Sequence, residues 1–359
     1  MHAMQMPIKV VVGLSGGVDS SVAAALLKDQ GYDVIGIMLQ LWNEPGEELA
    51  NRCCTPDAMT IAGDVATRLG IPFSVVDAKE LFFNTVVKSF IDGYAQNQTP
   101  NPCLTCNQYV RWDFLLHKAL SLGAAYLATG HYARAIRSEN GVTQLCRGVD
   151  LSKDQSYVLY ALNQFQLSHT LFPLGEMKKT EVRQVARRYN LPSAEQSDSQ
   201  DLCFLGNSDY RDFLSRYYPA INTPGPILTS KGQHLGIHQG LAAYTIGQRK
   251  GLTISSPNPM YVLEKDSARN ALVVGRIDEL GKKELIIKQV HWISGSAPEL
   301  PIRAQVKIRY KARPEWAQIK FTADGVTTIV FDDMLRDITP GQAAVIYQDD
   351  ICLGGGIIY

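Results

Sequence analysis

The segment from Ser15 to Ser20 reads Ser-Gly-Gly-Val-Asp-Ser and has the residue types of an anion-binding loop. It follows an apolar run, Ile8–Gly13, and precedes a helical pattern that starts at about Ser21. Glycines let main-chain N–H groups approach an anion at a helix N-terminus, where the macrodipole and the unpaired donors favour negative charge. The two serines add hydroxyl donors. The segment therefore predicts a phosphate-binding loop between a strand and a helix.

This loop lacks the lysine with which the usual kinase and ATPase loop, G-x-x-x-x-G-K-[ST], reaches the outer phosphates. Transfer of an outer phosphate is therefore disfavoured. The pattern is typical of enzymes that cleave ATP between its α and β phosphates and activate a carbonyl oxygen as the adenylate. Asp19 is a candidate ligand for Mg²⁺ on the phosphates, because this hard cation prefers carboxylate oxygen. A helix cap is the alternative role for Asp19.

Cysteines supply a second kind of chemistry. Cys103 and Cys106 form a C-x-x-C in Thr99–Asn107, whose two prolines predict an exposed loop rather than a regular helix. Cys203 lies far along the chain. A cysteine thiolate or persulfide is a soft nucleophile, and a second cysteine can attack a sulfur–sulfur bond and release sulfide. These positions are therefore candidates for sulfur chemistry.

The other cysteines carry less information. The chain has seven cysteines and no secretory signal pattern, which argues against a structural disulfide framework. Cys53 and Cys54 are adjacent rather than spaced, so a four-thiolate zinc site is disfavoured. Cys146 and Cys352 lie in apolar or strand-like settings and are expected to be packing thiols.

Alternating strands and helices must position the loop. Apolar strands are expected at Ile8–Gly13, Val34–Leu39, Phe73–Val76 and Tyr126–Gly130, and helices at Ser21–Gln30, Pro56–Leu69, Leu81–Tyr94, Trp112–Leu122 and Lys178–Tyr189. This order predicts an α/β fold with an N-terminal doubly wound, Rossmann-like parallel sheet. Its ligand should lie at the carboxyl ends of the strands, where the loop and Thr129–Tyr132 both fall.

The residue composition and periodicity change in the second half of the chain. Frequent glycine and proline residues after about Phe213 predict a small mixed domain. Six strand-like segments from Leu285 predict an antiparallel β-barrel. Asp324-Gly325 is expected to be a tight hairpin turn. The expected domains are 1–210, 211–283 and 284–359. The six strand segments are Leu285–Trp292, Ile302–Tyr310, Trp316–Thr322, Thr327–Phe331, Ala343–Tyr347 and Ile351–Ile358.

Net charge limits the choice of partner. Lys plus Arg and Asp plus Glu both number 35, so a nucleic acid would have to meet local basic patches. Tyr310 can stack on a base while Arg309 meets phosphate, and the basic positions of Lys178–Arg188 either track phosphates or form a solvated helix face. Without a signal peptide or an apolar run of membrane-spanning length, we expect a cytoplasmic protein with no membrane partner.

Several motifs, taken in order, resemble one family. These are S-G-G-V-D-S, T-P-N-P-x-x-x-C-N, A-T-G-H-Y, K-D-Q-S-Y-V-L, S-D-S-Q-D-L-C-F around Cys203, H-Q-G-L-x-x-Y-T-I-G-Q-R-K-G-L and L-G-G-G-I-I. Together they resemble the bacterial tRNA-specific 2-thiouridylases, members of the pyrophosphatase-loop (PP-loop) superfamily. The resemblance extends from Val10 to Ile358.

The resemblance implies a reaction and a set of site residues. ATP would adenylate O2 of the wobble uridine of tRNA, a sulfur-relay protein would supply a persulfide on Cys203, and Cys106 would form the transient disulfide. AMP and pyrophosphate would be released. The ATP site would comprise Gly13, Leu14, Ser15, Gly16, Gly17, Val18, Asp19, Ser20, Leu39 and Gly130. The tRNA site would comprise Asn101, Pro102, Cys103, His131, Lys153, Asp154, Gln155, Arg309, Tyr310 and Gln342.

Cys103 is the departure from this family. Many members carry at this position an aspartate that is assigned acid–base work, and a thiol of pKa about 8.5 is a poorer base at neutral pH. Cys103 then acts as a thiolate of lowered pKa or simply fills space. In a third alternative, Cys103, Cys106 and Cys203 hold an iron–sulfur cluster through three thiolates.

Two other functions remain open at this level. A nitrogen ligase or amidotransferase can use the same ATP loop, but it would not need the three cysteines. A tRNA-binding protein without turnover would need neither the intact loop nor the two cysteine motifs.

Overall fold

The computed structural model describes residues 7–45, 55–196, 202–206, 208–299, 301–321 and 326–359. The expected hairpin turn at Asp324-Gly325 and the pair Cys53-Cys54 lie outside these residues. Within the described ranges, no helix combines the length and the apolar character needed to cross a membrane.

The helices follow the sequence patterns with shifted ends. Two π-helical segments, Phe83–Val87 and Cys106–Leu115, join α3 to α4 and α5 to α6. The helices are α1 (Val18–Asp29), α2 (Pro56–Leu69), α3 (Lys79–Phe82), α4 (Lys88–Ala95), α5 (Pro102–Thr105), α6 (Leu116–Ser121), α7 (Gln164–Ser168), α8 (Lys179–Arg188) and α9 (Tyr210–Tyr217).

The strands form three sheets. They are β1 (Lys9–Gly13), β2 (Asp33–Gln40), β3 (Phe73–Asp77), β4 (Tyr126–Ala128), β5 (Ala133–Arg137), β6 (Thr143–Arg147), β7 (Thr170–Leu171), β8 (Gly225–Thr229), β9 (His234–His238), β10 (Tyr261–Asp266), β11 (Ala271–Gly275), β12 (Lys282–Trp292), β13 (Ile302–Lys307), β14 (Glu315–Phe321), β15 (Thr327–Leu335), β16 (Ala343–Gln348) and β17 (Ile351–Ile358).

The first sheet has the order β3-β2-β1-β4-β7, and every pairing in it is parallel. Alternate residues of β1 point to opposite faces, as the pleat requires. Val10 and Val12 belong to a core with α1, α2 and α8, whereas Val11 belongs to a second core that contains Trp112 and Leu116. Both faces are therefore covered, which confirms the expected doubly wound sheet.

The segment Thr99–Asn107 is helical from Pro102 onward, so the expectation of a loop around the two cysteines was wrong. Asn101 is the N-cap of α5, and its Oδ1 accepts a hydrogen bond of 3.1 Å from the Cys103 N–H. Pro102 occupies the first helical turn, where a missing N–H costs nothing and the fixed φ already suits a helix. Pro102 thus starts the helix, and α5 leads directly into the π-helical segment.

A four-stranded sheet, β10-β11-β8-β9, forms the middle of the chain. It has a small core of its own, which includes Ile227, Tyr244 and Val262. Its core is separate from those of the first sheet and the barrel.

The C-terminal strands form a closed antiparallel barrel in the order β12-β15-β14-β13-β16-β17, closed by pairing of β12 with β17. The barrel confirms the expected fold. The sequence had not indicated that β6 pairs with β17 and that the hairpin β5-β6 extends this sheet. The strand expected at Ile302–Tyr310 ends at Lys307, so Arg309 and Tyr310 lie in the following turn.

Candidate active site

The phosphate-loop candidate lies where β1 gives way to α1. Ser20 Oγ donates a hydrogen bond of 3.2 Å to the Gly17 carbonyl and accepts one of 3.1 Å from the Ser15 N–H. Ser21 Oγ donates to the same carbonyl at 2.9 Å. These bonds fix the curvature of the loop at the start of α1. Gly17, not Asp19, is the N-cap residue, so Asp19 does not cap this helix.

Two glycines are required by close backbone approach. Gly16 has φ +76°, and a Cβ at this residue would lie 2.6 Å from the Ala58 carbonyl oxygen. A Cβ on Gly130 would lie 2.7 Å from both the Asp19 carbonyl carbon and the Ser20 nitrogen. Gly130 therefore lets the end of β4 touch the loop, as its predicted place in the ATP site requires.

Asp19 has two partners from other elements. Lys179 Nζ, at the start of α8, donates to both carboxylate oxygens, at 2.7 Å and 2.8 Å. The Tyr132 hydroxyl donates to Oδ1 at 2.8 Å. The sequence could not anticipate this arrangement, because Lys179 is 160 positions from Asp19. It had treated Lys179 only as one of several basic residues on a helix.

A cavity of about 840 Å³ opens beside the loop. Its wall brings the loop together with the ends of β4 and β6, the turn before Gln155, and the turn after β13. The lining residues include Gly13, Ser15, Gly17, Val18, Asp19, Ser20, Gly130, His131, Lys153, Asp154, Gln155 and Tyr310, all of which the sequence had proposed for ATP or tRNA.

The cavity wall is strongly cationic although the chain as a whole is neutral. Asp19 and Asp154 are its acidic residues. Its Lys and Arg residues are Arg111, Arg147, Lys153, Lys179, Lys307, Lys311 and Arg313. The sequence had not singled out Arg111, Arg147 or Arg313, because they come from separate elements and share no motif. Such a wall favours a polyanion.

His131 lies in this wall and is buried. Its Nδ1 is 2.8 Å from Thr129 Oγ1, and its ring lies 5.4 Å from that of Trp112 between centroids. Burial, and then the nearby Arg111 charge, lower the pKa of His131 well below its usual value. The imidazole is therefore neutral at physiological pH and can donate or accept a hydrogen bond, but it brings no charge to a phosphate.

The turn that carries Lys153, Asp154 and Gln155 is held by its own hydrogen bonds. The buried Asp154 carboxylate accepts from the Gly148 and Ser156 N–H groups, both at 3.1 Å. Gln155 Oε1 accepts from the Tyr132 N–H at 3.0 Å. In this conformation Asp154 and Gln155 shape the wall, and Lys153 presents charge on it.

Three further residues proposed for tRNA lie on the barrel. Tyr310 is 36 % exposed in the cavity wall, and burial, then Asp154 and Cys103, raise its pKa to about 12. Arg309 donates to the Ile246 carbonyl at 3.2 Å and to Thr339, and thereby joins the barrel to the segment between β9 and β10. Gln342 Nε2 donates to the Thr99 carbonyl at 2.7 Å. Gln342 thus holds the chain just before α5.

The three cysteines proposed for sulfur chemistry lie outside the cavity wall. Cys103 is exposed, whereas Cys106 and Cys203 are half-buried. Both half-buried cysteines pack against one aromatic core that includes Phe90, Phe204 and Phe213. The buried Cys146 and Cys352 are packing residues, and burial raises the pKa of each thiol.

The iron–sulfur alternative does not fit the described residues. None of their Cys, His, Asp and Glu side chains gather in threes closely enough to hold a metal ion, and Cys103, Cys106 and Cys203 are all described. Cys103 is exposed, whereas Cys106 and Cys203 pack against the aromatic core, so the three thiols do not share one environment.

Leu39 and Leu14, both expected in the ATP site, pack in the interior of the protein. Leu39 is half-buried near the end of β2 and packs against both the second core and the aromatic core. Leu14 is buried, and its N–H donates to the Ile37 carbonyl at 2.8 Å. Neither lies in the cavity wall, so their expected contact with ATP stays a prediction.

A parallel sheet with a lysine-free phosphate loop at its carboxyl edge, followed by a small sheet and a closed barrel, defines a class of multidomain nucleotide-dependent enzymes. Family models agree with this architecture. The model described as "tRNA methyl transferase HUP domain" matches residues 8–207. Those described as "tRNA methyl transferase PRC-barrel domain" and "Aminomethyltransferase beta-barrel domain" match residues 211–276 and 282–358.

Full-length relatives define the family more closely. The chain is 46% identical over 357 residues to the tRNA-specific 2-thiouridylase MnmA of Magnetococcus marinus, covering 99% of this chain and 100% of the relative. It is 44% identical to the enzyme of the same description from Clostridioides difficile, covering 99% of both. The chain belongs to the family of tRNA-specific 2-thiouridylases, which are sulfurtransferases. The nitrogen-ligase and non-enzymatic alternatives are therefore set aside.

A solved structure of a 4-thiouridine synthetase–RNA complex with bound ATP is a more distant match. It has a TM-score of 0.37 and 17% identity, covering 59% of this chain and 50% of the other. A likeness of this size carries no argument about the site.

Proposed function

We propose that this protein uses ATP to convert the wobble uridine of tRNA to 2-thiouridine. ATP adenylates O2 of the base, sulfur from a Cys203 persulfide replaces the activated oxygen, and AMP and pyrophosphate are released. Family membership supports the thiolation of tRNA. The observation that carries the ATP-dependent step is that the loop, Gly130 and the cationic wall line one cavity.

The cavity suits a nucleotide in size and charge. Its volume of about 840 Å³ lies within the usual range for small-molecule sites. Loop amides and hydroxyls at the start of α1 offer donors to phosphate oxygens. An amide-like carbonyl oxygen is a poor leaving group until adenylation turns AMP into the group that departs. The loop, by binding ATP, therefore serves the adenylation of this oxygen.

Cys203 and Cys106 divide the sulfur chemistry. The terminal sulfur of the Cys203 persulfide attacks C2 of the adenylated base, and AMP leaves. Cys106 thiolate attacks Cys203 Sγ, which breaks the bond to the transferred sulfur and leaves a Cys106–Cys203 disulfide. A cellular dithiol must then reduce this disulfide before a new persulfide is loaded. Their packing on one aromatic core supports this pairing.

Asn101, Pro102 and Cys103 are proposed to meet the target base. The capped start of α5 presents the exposed Cys103 near Tyr310, which lies in the cavity wall. A base turned out of the anticodon loop can enter from this side, with Tyr310 as a stacking surface. We assign Cys103 to the position where many relatives have an acid–base aspartate.

The remaining partners follow from the chemistry. Mg²⁺ would be held on the phosphates by Asp19, whose carboxylate has the oxygen donors this ion prefers, and it would neutralise phosphate charge. A persulfide-carrying relay protein would load Cys203. We place the reaction in the cytoplasm, where tRNA, ATP and reduced thiols occur together.

Products of ATP cleavage test the activation step. The protein is incubated with tRNA, Mg²⁺ and ATP labelled at the α-phosphate, and the labelled product is separated. Formation of AMP that depends on tRNA is the expected result. Labelled ADP, or no cleavage with added tRNA and a persulfide source, contradicts the proposal.

A further inference from the structure

Helix α8 brings a lysine, Lys179, to a loop that contains none. Lys179 Nζ lies 2.7 Å and 2.8 Å from the two Asp19 carboxylate oxygens, inside the cavity that the loop lines. Its side chain is only 11% exposed, so the ammonium is not a solvated surface charge. The Lys179 ammonium is therefore held at the loop from outside the loop sequence.

Other basic residues of α8 have different partners. Arg183 donates to the carbonyls of Ala194 and Gln196, and Arg187 pairs with Glu195 at 3.0 Å. Neither lies in the cavity wall. Lys178 is exposed and also lies outside the wall. Among these basic residues of α8, Lys179 is the one directed at the nucleotide site.

Asp19 can lose its contact with Lys179 and still keep a hydrogen-bond donor. Its Oδ1 also accepts the Tyr132 hydroxyl at 2.8 Å, so one donor remains when the ammonium moves. A bound Mg²⁺ would supply the positive charge that the carboxylate loses. The ammonium, on a flexible stem with three donors, can then turn to phosphate oxygens.

We propose that Lys179 binds the phosphates of ATP and the pyrophosphate product, and that Asp19 holds it in place in the nucleotide-free protein. This inference rests on the proposed function, because it assigns a residue to the same ATP site. The protein thus retains a phosphate-binding lysine, but brings it from α8 and not from the loop. No covalent step is involved.

A purely structural ion pair between α1 and α8 is the competing explanation. Removing one partner of a poorly exposed pair leaves an uncompensated charge and can destabilise the fold. Affinities for ligands with different numbers of phosphates separate the two explanations. A structural defect weakens ATP and AMP binding alike, whereas loss of a phosphate contact does not. The double variant Asp19→Asn/Lys179→Met removes both charges together, and its comparison with Asp19→Asn alone isolates the contribution of Lys179 if Lys179→Met folds poorly.

Calorimetric titration of the full chain provides the test. The probes are α,β-methylene-ATP with Mg²⁺, inorganic pyrophosphate, and AMP. We expect Lys179→Met to weaken binding of the ATP analogue and of pyrophosphate about ten- to a hundredfold, the usual worth of a charge-assisted hydrogen bond, and AMP binding by less than about twofold. Relative to Asp19→Asn, the double variant should show the same selective loss, and the matched control Lys178→Met should bind all three as the wild type does.

Two results overturn the inference and leave the proposed function intact. Binding of the analogue and pyrophosphate by Lys179→Met with wild-type affinity excludes a phosphate contact. Equal weakening of all three probes shows a structural role only. Failure of the wild type to bind any nucleotide contradicts the proposed function itself, and this inference with it.

Discussion

Cys106 and Cys203 come from distant parts of the sequence and pack against the same aromatic core. The sequence indicated both as sulfur-chemistry candidates, because a C-x-x-C and a separate cysteine accompanied an ATP-type loop. It could not indicate that they share a core, since nothing in the local pattern records which helices meet. Lys179 and Tyr132 at Asp19 escaped prediction for the same reason.

Cysteine substitutions test the sulfur-transfer proposal at the residue scale. Cys203→Ser should abolish formation of 2-thiouridine and leave ATP affinity within about twofold, because the hydroxyl keeps the shape but cannot carry a persulfide. Nucleoside analysis of tRNA and calorimetric titration measure the two effects. Cys146→Ala, at a packing thiol outside the site, is the control and should retain thiolation. Wild-type thiolation by Cys203→Ser would refute the assignment.

His131 should make stability depend on pH. Burial, and then Arg111, hold its pKa well below the usual value of 6.5, so the unfolded chain binds more protons here than the folded protein. The contribution of His131 to stability is full above about pH 6.5 and is lost at up to about 1.4 kcal/mol per pH unit as the pH falls further. Urea unfolding of His131→Gln between about pH 7 and pH 5 should show a smaller loss than the wild type.

The exposed His117 provides the control for this measurement. The same measurement on His117→Gln shows what the loss of an exposed histidine does. An unchanged pH dependence in His131→Gln would show that the buried imidazole does not account for the effect.

At the scale of elements, the strand–loop–helix unit around Ser15–Ser20 could be predicted almost completely. Its apolar strand, glycines and following helix are local signals, and the structure only moves the start of α1 back to Val18. The helix at Pro102 was missed, because proline was taken as a breaker although it suits the first turn of a helix. The π-helical segment Cys106–Leu115 has no sequence signal of its own, and it places Arg111 in the cavity wall.

Gly130 tests how closely β4 must approach the loop. In Gly130→Ala the new Cβ would meet backbone atoms of Asp19 and Ser20 at 2.7 Å, and we expect a loss of about 1–3 kcal/mol in the free energy of unfolding together with weaker ATP binding. Urea unfolding and titration with ATP measure the two losses.

Gly63→Ala within α2 is the matched control, because its Cβ would meet side-chain atoms only at 3.9 Å or beyond. It should be neutral or stabilising by roughly 0.5–1 kcal/mol, as expected for glycine replaced in a helix. Equal stability of the two alanine variants would show that the backbone contact at Gly130 is not required.

At the scale of the whole molecule, the barrel and the first sheet are joined by a shared core. Val345, Tyr347 and Cys352 of the barrel belong to the same core as Val11 and Trp112 of the first half. The buried Tyr157 hydroxyl donates to the Ala343 carbonyl at 2.9 Å, and β6 pairs with β17. The sequence predicted the separate sheets from their periodicities. It could not predict the shared core, because contacts between residues far apart in sequence give no signal in a short stretch of sequence.

The shared core predicts that the stabilities of the barrel and of the first sheet are coupled. Tyr347→Ala should cost about 3–5 kcal/mol and should speed hydrogen exchange in β1 and β4 as well as in the barrel strands, because the cavity opens in the shared core. Hydrogen-exchange mass spectrometry of the full chain makes the comparison. Tyr359→Ala, at a side chain that is 69% exposed, is the control and should exchange like the wild type. Faster exchange confined to the barrel would show that the two parts are independent.

The neutral net charge of the chain conceals a cationic cavity built from several elements. This is the feature of the whole molecule that composition could not show. It brings together the loop proposed for ATP and Tyr310, a barrel residue proposed for tRNA, and the central claim is that this site thiolates tRNA.

Mass spectrometry of nucleosides tests that claim most directly. Unmodified tRNA is incubated with the full chain, ATP, Mg²⁺ and a persulfide source, then digested to nucleosides. The proposal predicts 2-thiouridine at the wobble position, formed only when ATP is present. Uridine that stays unmodified, or sulfur found at another atom or position, would contradict it.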